Sequence, residues 1–297
     1  MRFLPLTLAD RPRVSAALAA DPPAISELTF TNLFAWRRKR QVSIAFAGGA
    51  LCLLCEEQGR RFFLPPVGAA DPVAAVGGLF AFAREAGFPG ALERAPRPLA
   101  DALAAAGCAV RADRESYDYV YAVRELAALE GRHFDGKRNQ VRQAEAAGDC
   151  EYRPLTPALA AACLALAENW CDLRACALDA GLAAEREAIA TAFRHWVELG
   201  LVGGAVLVDG RLKAFAVAEQ LAPGTAVVHF EKADPAIKGL SQLVNQRFCR
   251  EGLAGFAFVN REQDLGLPGL RRAKESYRPH HLVEKFAVAP GAPAEAG

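Results

Sequence analysis

Charged and amide side chains follow two predicted strands in the last third of the sequence. Glu231 comes directly after the predicted strand Thr225–Phe230, and Asn260 follows the predicted strand Gly255–Val259. A predicted helix, Lys238–Glu251, connects the two strands, and a strand–helix–strand unit of this kind pairs its strands in parallel. Ligands of open α/β sheets bind beyond the carboxyl ends of parallel strands. We therefore expect both polar segments to converge at one sheet edge, where they could serve acid–base catalysis or anion binding.

The segment that begins at Asn260 is a long polar loop. It runs to Pro279 with the sequence NREQDLGLPGLRRAKESYRP, in which Leu270–Ser276 could form one or two helical turns. A loop of about twenty residues inside a compact domain is usually functional or disordered. We expect this loop to close over a substrate, and a solvated loop with internal ion pairs is the alternative. Its charged groups are Arg261, Glu262, Asp264, Arg271, Arg272 and Lys274.

A lysine and a glycine open the predicted connecting helix. Lys238 and Gly239 follow Asp234-Pro235. A helix N-terminus offers free N–H groups and partial positive charge, so this pair predicts a phosphate site. Asp234 as a simple helix cap is the alternative. His229 and Glu231 share one face of the preceding strand, and we interpret His229 as a half-buried structural residue rather than a base.

Positive charge is clustered in an otherwise neutral protein. The chain of 297 residues has 35 Lys and Arg against 34 Asp and Glu, a formal net charge of +1. No overall field therefore draws the protein to nucleic acid. Basic clusters occur at Trp36–Arg40, Arg132–Arg142 and Arg271–Lys274. Together they could hold a phosphate-bearing ligand, whereas each alone is typical of an exposed helix face.

Several common sites have no support in the sequence. The P-loop, GxGxxG, GxSxG and HExxH motifs are absent, which disfavours hydride transfer on a Rossmann motif, Walker-type ATP use and zincin proteolysis. Cys52 and Cys55 lie three residues apart in a predicted strand and so point to opposite faces. We interpret them as buried thiols rather than half a zinc site, and no metal is predicted.

Membrane and export signals are also weak. The longest nearly apolar run, Val42–Cys55, is split by Gly48-Gly49 and is shorter than the about 20 residues that span a bilayer as a helix. The first ten residues, broken by Pro5, do not form a signal peptide. We therefore expect a cytoplasmic protein without an integral membrane segment.

Strand and helix patterns alternate in two successive units with a junction near residues 124–135. With 52% hydrophobic residues the chain can build a sizeable core, and its length suggests about two domains. The pattern predicts a mixed α/β fold. Besides the elements above, we predict strands over Arg61–Leu64, Ser116–Val123 and Leu282–Val288, hairpins over Val42–Glu56 and Val202–Gln220 (the latter turning at Asp209-Gly210), and helices over Pro72–Ala86, Pro98–Ala106, Pro157–Cys176 and Ala183–Leu199.

Four segments, spread over nearly the full length, resemble the C-terminal catalytic domain of phosphatidylglycerol lysyltransferase and its small bacterial relatives. The most specific is VNREQDLGLPGLRRAKESYRP at Val259–Pro279, and the others are SELTFTNLFAWR at Ser26–Arg37, GKRNQVRQAEAAG at Gly136–Gly148 and HFEKAD at His229–Asp234. The basic segment Gly136–Gly148 is similar to the helix that opens the acyltransferase half of Fem-type peptidoglycan aminoacyltransferases. Its matching positions are Lys137, Arg138, Asn139, Val141 and Ala144.

The resemblance implies an α/β fold with α+β mixed sheets, built as tandem GNAT-like (acyl-CoA N-acyltransferase-like) domains. We predict an N-terminal GNAT-like domain over residues 1–130 and a C-terminal GNAT-like domain, which carries the site, over residues 131–290. A frayed tail is predicted over residues 291–297.

The chemistry implied by the resemblance is acyl or aminoacyl transfer to an amine or hydroxyl. The donor would be aminoacyl-tRNA or acyl-CoA, so tRNA and CoA are the candidate partners, and no cofactor is firmly predicted. The acceptor would be a small molecule or a peptide amine, and peripheral contact with lipid stays open. The stretch Ala236–Ser241, which corresponds to the CoA pyrophosphate loop of GNAT enzymes, has a single glycine, Gly239. A non-catalytic module that binds a phosphate-containing ligand and a CoA-dependent N-acetyltransferase are therefore kept as alternatives.

Within this resemblance each candidate residue has an expected role. Glu231 would accept the proton of the acceptor, with Glu262 or Asp264 as the alternative, and Asn260 would orient the donor. The residues expected to hold the phosphates of the donor, or the terminal adenosine of a tRNA, are Lys137, Arg138, Asn139, Lys238, Gly239, Arg261, Lys274 and Tyr277.

Overall fold

The computed structural model describes residues 1–173 and 180–291. The strands are β1 (Leu4–Pro5), β2 (Gln41–Ala47), β3 (Ala50–Glu57), β4 (Arg60–Val67), β5 (Leu92–Pro96), β6 (Ala109–Ala112), β7 (Asp118–Ala122), β8 (Cys150–Pro154), β9 (Val202–Val208), β10 (Arg211–Ala222), β11 (Thr225–Ala233), β12 (Phe258–Asn260), β13 (His281–Val283) and β14 (Lys285–Ala289). The helices are α1 (Arg11–Ala20), α2 (Phe30–Ala35), α3 (Pro72–Glu85), α4 (Arg97–Ala105), α5 (Val123–Ala128), α6 (Asp135–Glu145), α7 (Ala160–Leu173), α8 (Ala180–Arg194), α9 (Trp196–Leu199), α10 (Leu240–Arg247) and α11 (Pro268–Glu275). The predicted helix end at Cys176 and the predicted tail beyond residue 291 lie outside the described residues.

The chain forms two compact units. Unit 1 comprises Met1–Asp118, Gln263–Arg271 and Leu282–Gly297, and unit 2 comprises Tyr119–Glu262 and Arg272–His281. Strands and helices alternate in both, so the predicted mixed α/β class is confirmed. The division into domains at residues 130 and 131 stays a prediction.

The first sheet has the strand order β1-β2-β3-β4-β5-β14-β6. The β2–β3 hairpin turns at Gly48-Gly49 as predicted, and β4 and β5 form a parallel pair joined through α3. Asp71 caps α3 by accepting a hydrogen bond from the Ala74 N–H, which confirms the predicted start of this helix. The core of this unit packs α3 and α4 on the sheet around residues such as Phe63 and Leu92.

The last strand corrects the sequence analysis, which placed Leu282–Val288 in the second domain as one strand. The structure instead has the two short strands β13 and β14, and β14 pairs antiparallel with β5 and β6 of the first sheet. The apolar pattern of a strand reports its buried face, but it does not report which sheet the strand will join.

A buried group of ions accompanies β14. The Lys285 ammonium, which is fully buried, contacts the Glu27 and Asp118 carboxylates, each at 2.6 Å. The Ser26 N–H and hydroxyl donate to the Asp118 carboxylate at 2.7 and 2.9 Å. Burial raises the pKa of Glu27, but Lys285 and Arg94 outweigh it, and the net pKa is lowered. Glu27 therefore keeps its charge because cations lie beside it.

The parallel partner strands β4 and β5 separate soon after they meet. Phe63 pairs with Leu92, and two residues later Arg94 adopts a left-handed conformation with φ of 61°, which is strained for a residue with a side chain. The Arg94 guanidinium is held by Glu27 at 3.1 Å and Asp113 at 2.6 Å. A cavity of about 490 Å³ opens beyond the carboxyl ends of β4 and β5, and seven prolines line it: Pro22, Pro23, Pro65, Pro66, Pro72, Pro96 and Pro98.

The second sheet has the strand order β13-β7-β12-β11-β10-β9-β8. The predicted parallel crossover is confirmed, because β11 and β12 pair in parallel and α10 connects them. The predicted hairpin of β9 and β10 is also confirmed, with its turn at Asp209-Gly210. β12 continues the sheet by antiparallel pairing with β7.

Two predicted boundaries in the second sheet and its helices were wrong. β11 extends to Ala233, which pairs with Ala214 of β10, so Glu231 lies inside a strand and not in a loop. The predicted helix Ala183–Leu199 is interrupted at His195 and forms α8 and α9. The basic stretch that begins near Gly131 is largely helical, since α6 starts at Asp135, and this agrees with its similarity to the basic helix of Fem-type enzymes.

Cys52 and Cys55 are buried free thiols, as predicted. Burial raises the pKa of the Cys55 thiol to about 12, which makes it unreactive as a thiolate at neutral pH. Among the helices of the described residues, none combines the length and the apolar character that crossing a membrane requires.

We expect K285M to unfold the protein more easily, because it removes the ammonium that lies against the buried Glu27 and Asp118 carboxylates. Removing one partner of a buried ion pair costs about 3–5 kcal/mol. Urea denaturation followed by circular dichroism measures the free energy of unfolding. K213M is the matched control, since Lys213 pairs with Asp234 at a partly exposed position and such pairs contribute about 1 kcal/mol or less. Equal losses in the two variants would contradict a special role for Lys285.

Candidate functional site

The candidate site lies where β11 and β12 separate in unit 2. Their parallel pairing runs from Thr225–Phe258 to Val227–Asn260, and β11 then continues along β10 to Ala233. The chain after Asn260 stays with β7 instead, because the Arg261 N–H donates to the Tyr119 carbonyl at 2.9 Å. The two strands therefore diverge, and a gap opens at their carboxyl ends, which is a usual place for ligands in α/β sheets.

An ion pair spans this gap. The Arg261 guanidinium lies 3.0 Å from the Glu231 carboxylate, and their side chains are 15% and 19% exposed. Burial alone would lower the pKa of Arg261, but Glu231, Tyr277 and Tyr121 outweigh it and the net pKa is raised. Arg261 is therefore a permanent cation, and Glu231 is the carboxylate that it faces.

Two tyrosine rings and a lysine surround the guanidinium. Arg261 Cζ lies 5.1 Å from the centre of the Tyr277 ring and 5.8 Å from that of Tyr121. The Lys137 ammonium, from α6, lies 4.0 Å from the centre of the same Tyr277 ring. These distances are those of cation–π contacts. The structure thus brings together Lys137, Glu231, Arg261 and Tyr277 from four separate segments.

Lys137 is the unusual cation of this group. It is half-buried, and its pKa is lowered by burial and then by the nearby Arg261. In the described part of the chain, no carboxylate forms an ion pair with it. Two cations that share a partly desolvated space favour the binding of an anion.

Asn245 and Cys249 complete the floor of the gap, and sequence reasoning missed both. The Asn245 amide donates to the Glu231 carboxylate at 3.4 Å, while its own Oδ1 is buried without a hydrogen-bond partner among the described residues. Burial raises the pKa of the Cys249 thiol to about 12. The sequence pattern could not indicate that these two residues belong to the site, because it shows which face of a helix is buried but not which residues that face contacts.

Two other candidates support the backbone rather than face the gap. The Lys274 ammonium donates to the carbonyls of Arg261 and Glu262, and Asn260 is fully buried and accepts a hydrogen bond from the Glu262 N–H at 2.8 Å. Tyr121 donates to the Lys274 carbonyl at 2.9 Å. These bonds hold the chain that leads into and out of Arg261.

Glu262 faces a different partner from the one expected. Its carboxylate lies 3.0 Å from His229 Nδ1, and Glu219 lies 2.8 Å from His229 Nε2. The expectation that Glu262 meets the substrate as a proton acceptor therefore has no support in this geometry. The interpretation of His229 as structural is consistent with its burial, but its side chain, at 1% exposure, is more completely buried than the half-buried position that we expected.

Asp264 is also engaged in holding the chain. It is fully buried in unit 1, where Arg114 and Arg271 form ion pairs with it at 3.1 and 2.8 Å. It also accepts the Gly266 N–H at 2.9 Å. This arrangement anchors the loop that was expected to move over a substrate, and it leaves no support for Asp264 as a base.

The remaining residues of the basic helix differ from Lys137. Arg138 donates to the Gly131 carbonyl at 2.9 Å and pairs with Asp135, so it holds the turn that precedes α6. Asn139 is exposed. A pattern of basic residues indicates an exposed helix face, but it does not distinguish the one cation that turns inward.

Gly239 forms a packing contact as well as the start of a helix, whereas Lys238 does not. Lys238 is exposed. Gly239 caps α10 with φ of 87°, and a Cβ there would lie 1.8 Å from the Gln140 carbonyl oxygen of α6. The glycine is therefore required by the close approach of two helices, whatever binds nearby.

A family model described as phosphatidylglycerol lysyltransferase, C-terminal, matches residues 22–289. The chain belongs to this family. A comparison of the sequence with curated proteins finds no match.

Solved structures agree with membership of the phosphatidylglycerol lysyltransferase C-terminal family. The chain is similar to a conserved protein of unknown function from Bacteroides thetaiotaomicron, with 31% identity, a TM-score of 0.91, and coverage of 98% of this chain and 99% of the other. L-PGS from Bacillus licheniformis has 14% identity, a TM-score of 0.69 and coverage of 96% and 93%. FemX has 10% identity, a TM-score of 0.59 and coverage of 97% of both chains. The predicted tandem GNAT-like fold is thereby confirmed.

We expect G239A to destabilise unit 2 more than G210A does. Both glycines are left-handed, but a Cβ at Gly210 meets nothing within 4 Å. G210A should therefore lose only the conformational cost of about 1–2 kcal/mol, and the overlap with Gln140 should add about 1–3 kcal/mol in G239A. Urea denaturation measures both losses. Equal values would show that the two helices can move apart without cost.

Proposed function

We propose that this protein transfers an acyl or aminoacyl group to an amine or hydroxyl acceptor, at the gap between β11 and β12. The observation that supports this most is the cluster of Arg261, Glu231 and Lys137 at the carboxyl ends of the diverging strands. Membership of the lysyltransferase family and the acyltransferase-like fold support the same reaction class.

The cluster contains the groups that such a transfer needs. The lone pair of the acceptor forms a bond to the donor carbonyl carbon, and a tetrahedral oxyanion results. Arg261 and Lys137 are cations suited to stabilise that negative charge. Glu231 takes the proton that the acceptor releases, and this proton passes to the leaving oxygen or sulfur when its bond to carbon breaks.

Asn245 supports an amine as the acceptor. Its Oδ1 is buried beside Glu231 without a partner among the described residues, and an acceptor oxygen in that state is costly unless something donates to it. The N–H of a bound amine would satisfy Oδ1 and place the nitrogen next to the Glu231 carboxylate.

The donor is proposed to carry phosphate, as in aminoacyl-tRNA or acyl-CoA. Lys137, Arg261 and Tyr277 are the predicted donor contacts that face the gap. Asn139 and Lys238 are exposed, so they remain proposals as surface contacts for a large donor such as tRNA. Arg138, Lys274 and Gly239 are proposed to act only by holding the backbone.

A non-catalytic binding module is the second candidate. The observation that favours it is the direct pairing of Glu231 with Arg261, because the guanidinium then occupies the carboxylate that would have to receive the proton of the acceptor. In that case phosphate-bearing ligands would bind and raise the thermal stability, but no product would form.

We expect E231Q to lower kcat/KM for transfer by about 10²–10⁴-fold, the usual contribution of a positioned acid or base. Radiolabelled aminoacyl-tRNA and acetyl-CoA should both be tested as donors, with product detected by mass spectrometry. E125Q is the control, since Glu125 is an exposed residue of α5 and should leave the rate unchanged. Transfer by E231Q at the rate of the unaltered protein would overturn the role of Glu231, and stabilisation by either donor without any product would favour the binding module.

We expect K137M to weaken pyrophosphate binding about 10–100-fold, because a hydrogen bond to a charged group contributes about 1.5–3 kcal/mol. Calorimetry measures the Kd. Because the pKa of Lys137 is lowered by burial and by Arg261, the affinity of the unaltered protein should fall, as the pH rises, before ordinary lysines lose their protons. R84M, at an exposed position of α3 in unit 1, is the control. Equal affinities in K137M and the control would remove Lys137 from the donor site.

A further inference from the structure

His229 lies enclosed between two carboxylates from separate parts of unit 2. The side chain is 1% exposed and sits on β11, two residues before Glu231. Its Nε2 is 2.8 Å from Glu219 of β10, and its Nδ1 is 3.0 Å from Glu262, which follows β12. The imidazole therefore connects β10 and β11 to the segment after β12 that carries Arg261.

Both ring nitrogens must donate for this arrangement to hold. A neutral imidazole has one N–H, so one of its nitrogens would face a carboxylate oxygen with no hydrogen between two acceptors. The imidazolium has two N–H groups and satisfies both contacts. In agreement, burial would lower the pKa of His229, but its bonds to Glu219 and Glu262 outweigh burial and raise the pKa to about 9.

The backbone of Glu262 has a strained conformation that its contacts must stabilise. Its φ of 56° is left-handed, and a residue with a side chain is strained there by about 1–2 kcal/mol. Its N–H donates to Asn260 Oδ1 at 2.8 Å, and its carbonyl accepts from the Tyr119 N–H at 3.2 Å. The contact with His229 is the bond that holds its side chain from the β11 side.

We propose that His229, as an imidazolium, is a positioning residue that fixes Glu262 in its left-handed conformation and thereby aims Arg261 at Glu231. Arg261 is the residue immediately before Glu262, so a change of the Glu262 backbone moves the Arg261 side chain directly. The inference rests on the proposed function only in treating the Arg261–Glu231 pair as part of the site. His229 touches neither donor nor acceptor in this view, because it is almost fully buried.

The charges around the ring set the direction of the pH dependence. The titratable groups placed against it are Glu219 from β10 and Glu262 from the segment after β12. An unfolded histidine has a pKa of about 6.5. Because the folded pKa is higher, the stabilisation is complete below about pH 6.5 and is lost as the pH rises through about 9. Loss of the proton leaves two carboxylates facing a neutral ring, and this releases Glu262.

Nitrogen-15 NMR on protein labelled at histidine and arginine tests the proposal without any activity assay. The chain has five histidines, so few ring signals need assignment. We expect one ring to stay doubly protonated at pH 8 and to lose its proton near pH 9, with H229Q removing that signal and H133Q, at an exposed residue, leaving it unchanged. The protected side-chain signal of Arg261 should be lost in H229Q.

The pH titration of the unaltered protein covers the case in which H229Q does not fold. The Arg261 signal should then change together with the ring signal of His229, while far-ultraviolet circular dichroism stays constant. A His229 ring that is neutral at pH 8, or an Arg261 signal that persists after the ring loses its proton, would overturn the proposal. Neither readout depends on transfer, so a failure of the proposed reaction would leave this test intact.

Discussion

The end of the parallel pairing between β11 and β12 is the constraint on which the candidate site depends. Beyond Val227 and Asn260 each strand keeps one neighbour, β10 or β7, and loses the other. Backbone hydrogen bonds therefore no longer fill the space between them, and side chains do so instead. Arg261 and Glu231 join across that space, so the same divergence that opens the gap also selects which residues can face a ligand.

Unit 1 also has two parallel strands that diverge, but different side chains line the space between them. The parallel pairing ends at Leu92 of β5 in unit 1 and at Asn260 of β12 in unit 2. Two positions after each of these residues the backbone is left-handed at a residue that is not glycine, Arg94 in unit 1 and Glu262 in unit 2. Each is held by ion pairs. The gap in unit 2 holds charges, whereas the gap in unit 1 is lined mainly by proline and aliphatic side chains. The two units therefore share this local backbone geometry, although their gaps are lined by different kinds of side chain.

Local patterns predicted the elements, and long-range contacts decided the rest. The crossover, the Asp209-Gly210 hairpin and the cap at Asp71 follow from neighbouring residues, and so does the meeting of Glu231 with the segment after Asn260. The sheet that β14 joins, the burial of Asp264 and the two partners of His229 depend on residues 10 to 258 positions away. Composition also could not tell which basic residue turns inward. Lys137 and Arg138 are adjacent in sequence, but Lys137 contacts the Tyr277 ring and Arg138 binds the Gly131 carbonyl.

The way in which unit 1 is assembled from distant stretches limits how the gene can be cut. A fragment that ends at Asp118 would lack β14, and with it the ammonium that neutralises Glu27 and Asp118. The remainder would begin inside β7 and would carry an orphaned edge strand. Neither fragment contains all the strands of its own sheet and no others. To express the two units separately, β14 would have to be moved into the N-terminal fragment, for example by circular permutation, so that it can pair with β5.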